Sequence, residues 1–193
     1  MGAHRHRGAV DCVTHLPGLE LAAARLAAVA GLPTPVVVAD ACDTCALDGP
    51  EGRAVVLVAP APHPAQLGML AHEVAHLAGA DRPHQRAATV VLLGGATVAG
   101  LAALVAAAPV GALTVWALAL LVAAAARRRG ELACDRAGAW LLDAIGLDGA
   151  ALTRTALTTG DHPAWLDVLA VVLPHPSTRA RLTALDQDRG WQQ

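Results

Sequence analysis

Apolar positions along the chain fall first into helix-length and strand-length runs and then fuse into one long uncharged stretch. Leu19 to Ala30 is an alanine-rich amphipathic run closed by Gly31 and Pro33, the pattern of a helix with its stop signals. Val36-Val37-Val38 is a β-branched run. Ala54-Val55-Val56-Leu57-Val58 is another, placed after the turn-rich Asp48-Gly49-Pro50-Glu51-Gly52, so the pair predicts two strands joined by an irregular connection. The proline-free stretch Gln66 to Ala71 then leads a helix into His72-Glu73-Val74-Ala75-His76. From Ala87 to Ala126 no residue is charged, and the run is broken only at Pro109-Val110-Gly111. The break leaves about 22 and about 15 residues on its two sides, where roughly 20 cross a bilayer, which predicts a two-helix membrane hairpin. The competing reading is a pair of buried helices in a soluble α-domain. Past the arginines, Glu131 to Ile145 predicts a helix stopped at Gly146. A connecting segment follows, then a helix around Trp165 to Val172 begun at Pro163, and a last one from about Ser177 to Arg189.

Composition strengthens the membrane reading. Hydrophobic residues are 55% of the 193 and charged residues 16%, against about 25% charged in an ordinary soluble domain. All 14 basic residues are arginine, and Phe and Tyr are absent, which reads as biased coding rather than chemistry. A net charge of −2 without a basic stripe argues against a nucleic-acid partner. Arg82 and Arg86 precede the uncharged stretch and Arg127-Arg128-Arg129 follow it, while the turn between has none. By the positive-inside rule everything outside the hairpin faces the cytoplasm of a two-pass cell-membrane protein. The N-terminal residues Met1 to Gly8 are basic but lack the apolar run of a signal peptide, and His4 and His6 read as solvated.

The chemistry centres on His72-Glu73-x-x-His76. On a helix, positions i and i+4 share a face, so both imidazoles can close on one metal ion while Glu73 points at a water beside it. A catalytic zinc needs three protein ligands and an open position. Glu131 is the candidate third ligand, in competition with its reading as a glutamate favoured by a helix N-terminus. Asp135, one turn on, is placed to accept a hydrogen bond from the other nitrogen of a ligating histidine. A small sheet beside the motif helix would let an extended substrate add to its edge as a strand. Cys42-Asp43-Thr44-Cys45 has no second cysteine pair to complete a zinc cage, and a cytoplasmic setting keeps thiols reduced; no special role, redox sensing and structural metal all stay open.

These motifs occur in an order that resembles the HtpX-like and CAAX prenyl protease family of membrane gluzincins. The resemblance rests on His72-Glu73-x-x-His76, Asp81, an uncharged hairpin, Glu131-x-x-x-Asp135 and His175-Pro176-Ser177-Thr178-Arg179-Ala180-Arg181-Leu182, over roughly residues 19 to 185. It implies one Zn²⁺ per chain on His72, His76 and Glu131, Glu73 as general base, Asp135 and Asp81 behind the ligands, His175 stabilising the oxyanion and Arg181 bracing that region. Two departures stand out: Thr44-Cys45-Ala46-Leu47-Asp48-Gly49 corresponds to the family's Asn-Ala-Phe-Ala-like strand before the catalytic helix, with Thr44 in place of the asparagine that contributes to substrate contacts, and the membrane helices that commonly precede the catalytic domain are not seen, as in a reduced version.

The resulting expectation is an α+β, mainly α chain. A flexible segment 1–18 leads into a zincin-like metallopeptidase domain made of 19–86 and 127–193. That domain is interrupted by the transmembrane hairpin 87–126, with helices at about 87–108 and 110–126. The expected activity is zinc-dependent cleavage of protein or peptide substrates at the cytoplasmic face of a lipid bilayer. The alternatives are a sensor-transducer metallopeptidase and a non-catalytic membrane adaptor that retains the fold.

Overall fold

The computed structural model describes residues 17–39, 44–48, 53–106, 109–159 and 176–189. Six helices and three strands lie among them, so the chain is mainly helical with one small sheet: α1 (Pro17–Ala30), β1 (Val36–Ala39), β2 (Cys45–Asp48), β3 (Ala54–Val58), α2 (His63–Leu77), α3 (Arg82–Ala106), α4 (Pro109–Ala144), α5 (Gly149–Thr159) and α6 (Thr178–Arg189). α1 forms as its pattern predicts. Leu19, Ala22, Ala23, Leu26 and Ala27 make a continuous buried stripe at helical spacing.

The sheet has the order β1-β3-β2. β3 is central, parallel to β1 with Val36 opposite Val55, and antiparallel to β2 with Ala46 opposite Val56. β2 replaces part of the irregular connection expected from the residue pattern and falls in the stretch that the family resemblance aligns with a strand. Cys45-Ala46-Leu47-Asp48 lacks β-branched residues, so its extended form comes from pairing with β3 and packing on α2, not from intrinsic preference.

α2 is the hub, in contact with α1, α4, α5, β2 and β3. Its buried face, Leu67, Leu70, Ala71, Val74 and Ala75, meets Leu26 of α1, Val56 and Val58 of β3, and Cys134, Leu141 and Leu142 of α4. A second small cluster, Ala139, Leu157, Leu182 and Leu185, ties α5 and α6 to α4, helped by an Arg154–Asp186 ion pair.

Two further corrections concern helices. The second hairpin helix and the expected helix 131–145 are one unbroken element, α4, because nothing in Arg127-Arg128-Arg129-Gly130 interrupts helical hydrogen bonding strongly enough to end it. The expected connecting segment after Gly146 contains α5. Its threonines weaken helix preference, but Asp148 caps the first turn by accepting from the Ala151 N–H at 2.9 Å, and Leu157 is buried against α4 and α6. The expected helix at Trp165–Val172, the segment 1–16, Cys42 of the paired cysteines and His175 lie outside the described residues.

Candidate metal centre

The motif helix α2 starts behind Pro62 with Pro64 in its first turn, where a missing N–H costs no hydrogen bond. Because its apolar face is pinned in the core, His72, Glu73 and His76 emerge half-buried along the edge of that face. The helix ends in a Schellman turn: Gly79 N–H donates to the His76 carbonyl at 2.8 Å and Ala80 N–H to the Ala75 carbonyl at 3.1 Å. Gly79 takes φ +78°, a conformation that side chains resist, and this reversal carries Asp81 back over His76. The Asp81 carboxylate accepts from His76 Nδ1 at 3.0 Å.

α4 supplies the opposite wall. It approaches α2 backbone to backbone at Gly138, where a Cβ would stand 3.1 Å from the Ala71 carbonyl and the His72 nitrogen. One and two turns earlier on that face, Asp135 and Glu131 therefore reach His72. Asp135 Oδ1 lies 2.9 Å from His72 Nδ1. Glu131 carboxylate oxygens lie 3.6 Å from His72 Nε2 and 3.8 Å from His76 Nε2. The two Nε2 atoms are 3.0 Å apart.

With both Nδ1 atoms held by carboxylates, the Nε2 atoms face each other and Glu131. A tetrahedral zinc with ligands at about 2.0–2.1 Å holds its donors about 3.3 Å apart, so the three groups fit such an ion without rearrangement of the helices. Carboxylates behind both imidazoles are the arrangement that fixes tautomer and ring orientation in metal sites. Of the residues singled out from sequence, His72, His76, Glu131, Asp135 and Asp81 are thus brought together, with Glu73 beside them.

α6 completes the wall. Ser177 caps it, its Oγ accepting from the Ala180 N–H at 3.2 Å, and this sets Arg181 in the first turn against Asp135. Arg181 donates to both Asp135 oxygens, through Nε at 2.7 Å and through Nη2. Burial disfavours the ionised Asp135, but the hydrogen bonds from Arg181 and His72 outweigh it and hold the carboxyl below its ordinary range. Burial also opposes charge on His72, yet Asp135 and Glu131 prevail and raise it from 6.5 to about 9. Glu73 is pushed up by burial, with the neighbouring histidines and a hydrogen bond from the Ala46 backbone pulling the other way.

Three participants carry little or no signal in the sequence. Gln85 donates to Asp81 Oδ2, and its spacing of four residues on a helix is the only clue. Cys134 is buried with its sulfur 3.4 Å from His76 Nδ1, and with His76 and Asp81 it forms a second group whose ligand atoms lie within 4.8 Å of one another; burial pushes its thiol far up. Ala46 acts through its backbone, which no side-chain pattern announces. Thr44, the candidate substrate contact, has its hydroxyl engaged within the chain: it accepts from Ala59 N–H at 2.9 Å and faces the Met69 sulfur at 3.5 Å.

A fold that brings an H-E-x-x-H helix against a glutamate from a later helix defines a class of metal-dependent hydrolases. Comparison with protein families agrees, the model of peptidase family M48 matching residues 56–189. The chain belongs to peptidase family M48, zinc-dependent metallopeptidases of the HtpX-like and CAAX protease class. No curated protein and no solved structure gives a significant match.

Proposed function

We propose that the chain is a membrane-anchored zinc endopeptidase that cleaves protein or peptide substrates at the cytoplasmic face. The observation that carries this reading is the convergence of His72 Nε2, His76 Nε2 and the Glu131 carboxylate in front of two carboxylate-held imidazoles. A zinc ion bound there supplies the Lewis acidity that makes water nucleophilic near neutral pH and polarises a scissile carbonyl. Glu73 takes the proton of the attacking water and returns it to the leaving amine. Burial shifts its pKa upward, the direction in which a carboxylate becomes a better proton acceptor. Asp135 and Asp81 keep the imidazoles oriented, and Arg181 keeps Asp135 in place. His175 is assigned the oxyanion contact on the family resemblance. β2, an edge strand whose Ala46 N–H already reaches Glu73, offers an extended substrate its backbone groups.

Anchoring is supported by α3 and α4. Both are long and apolar enough to cross a membrane, and only 11% and 17% of their apolar windows are buried, unlike the buried helices of a soluble core. The arginines at the base of the hairpin favour the cytoplasmic orientation.

The test uses the full chain in detergent with an unfolded protein as substrate. Glu73→Gln is expected to keep one zinc per chain and lose about a thousandfold in cleavage rate. Undiminished turnover in that variant would overturn the reading.

A further inference from the structure

This inference rests on the membrane reading of the hairpin. Gly95 of α3 lies against Ala119 of α4, and Gly130 of α4 against Asp81 and His84, so the helices run antiparallel with their charged ends level. Arg82 and Arg86 on α3 therefore share one height with Arg127 and Arg129 on α4. All four are exposed, and among the described residues no carboxylate lies within ion-pair distance of their guanidinium groups. The chain contains no Asp or Glu between Asp81 and Glu131, and both of those face the metal centre. The positive charge of this collar is thus left uncompensated by the hairpin itself.

Beside it, Arg82, Gln85, Arg86, Thr89 and Val90 line an open, shallow surface along one face of α3. Its guanidinium end lies at the charged base of the hairpin, and its Val90 end merges with the apolar helix surface. A phospholipid has that same polarity along its length. Guanidinium groups bind phosphate oxygens in pairs and are weakly hydrated, which suits the interfacial zone. We propose that this arginine collar is a binding site for the phosphate headgroup of anionic phospholipids, next to the turn in which Asp81 holds His76.

The experiment measures lipid retained by the full chain in neutral detergent, by native mass spectrometry with equal amounts of phosphatidylglycerol and phosphatidylcholine. The wild type is expected to retain phosphatidylglycerol about tenfold better. Arg82→Gln with Arg86→Gln is expected to remove most of that preference, and adding Arg127→Gln with Arg129→Gln the remainder. Circular dichroism verifies that each variant is folded. No preference in the wild type, an unchanged preference in the folded four-site variant, or displacement of the lipid by millimolar inorganic phosphate each overturns the proposal. A carbonate wash of membranes separates the two levels of inference. Protein that stays in the membrane yet lacks the preference refutes the collar alone, whereas protein released by the wash refutes the hairpin reading beneath it.

Discussion

The core around α2 and the hairpin of α3 and α4 are built from the same residues, alanine, leucine and valine, and use them in opposite ways. In the core these side chains turn toward one another, and Leu26, Leu70 and Leu142 are fully buried. Along the hairpin they turn outward, with Val90 70%, Leu93 65% and Leu113 70% exposed. Composition therefore does not distinguish the two regions; the direction of the side chains does. In the core, burial against protein contributes stability. In the hairpin no described residue covers most of the apolar surface, and on the membrane proposal a bilayer does so.

Paired truncations give the largest expected contrast. Leu26→Ala should destabilise the detergent-solubilised protein by about 2–5 kcal/mol, because it leaves a cavity in a packed core. Leu93→Ala should shift stability by less than about 0.5 kcal/mol, as a surface truncation does. Thermal unfolding of both variants reads the difference, and equal losses would place Leu93 in a packed interior. A charge sharpens it further: Val98→Arg should cost about 2.5–3.5 kcal/mol in membrane insertion, seen as a smaller membrane-integrated fraction, with the core's melting point in detergent unaffected.

Within the core, Asp135→Asn should weaken zinc binding by about 10–100-fold, measured by competition with a chelator, because His72 loses the carboxylate that orients it. The smallest effect is a pH dependence. His72 is raised from 6.5 to about 9, so the metal-free ring carries a proton at pH 7, and zinc must displace it. Calorimetry in buffers of different ionisation enthalpy should detect about one proton released per zinc at pH 7. Affinity should rise about tenfold per pH unit above 7 and flatten past 9. The sign is opposite for folding of the metal-free protein: the stability contributed by protonated His72 is complete below 6.5 and is lost as pH rises through 9.

What the sequence announced and what it concealed divide along physical lines. Helical spacing and local punctuation make α1, the motif helix and the paired apolar helices readable, and the Glu131–Asp135 spacing by itself puts both carboxylates on one face. β2 escaped the residue pattern because its form depends on a distant partner, β3, and only the family resemblance over Thr44 to Gly49 pointed to a strand there. α5 was hidden because threonines obscure a helix that Asp148 capping and packing stabilise. At the site, the pairing of Asp81 with His76 depends on the turn at Gly79, and the reach of Glu131 depends on how closely Gly138 lets α4 approach. Neither distance is encoded in spacing alone. Ala46 and Cys134 entered through a backbone N–H and a packed thiol, which sequence motifs do not express.

The continuity of α4 has one more consequence. Glu131 sits five residues beyond Ala126, the last residue of the uncharged stretch, and no loop intervenes to absorb slack. At about 1.5 Å per residue, the backbone of Glu131 lies about 8 Å along the helix axis from the end of the uncharged stretch. On the membrane reading the helix is a fixed ruler, and it sets the height at which a polypeptide can be cut. Under that proposal, chains whose scissile bond is brought to the bilayer surface would come within reach, and bonds held farther out by folded structure would not.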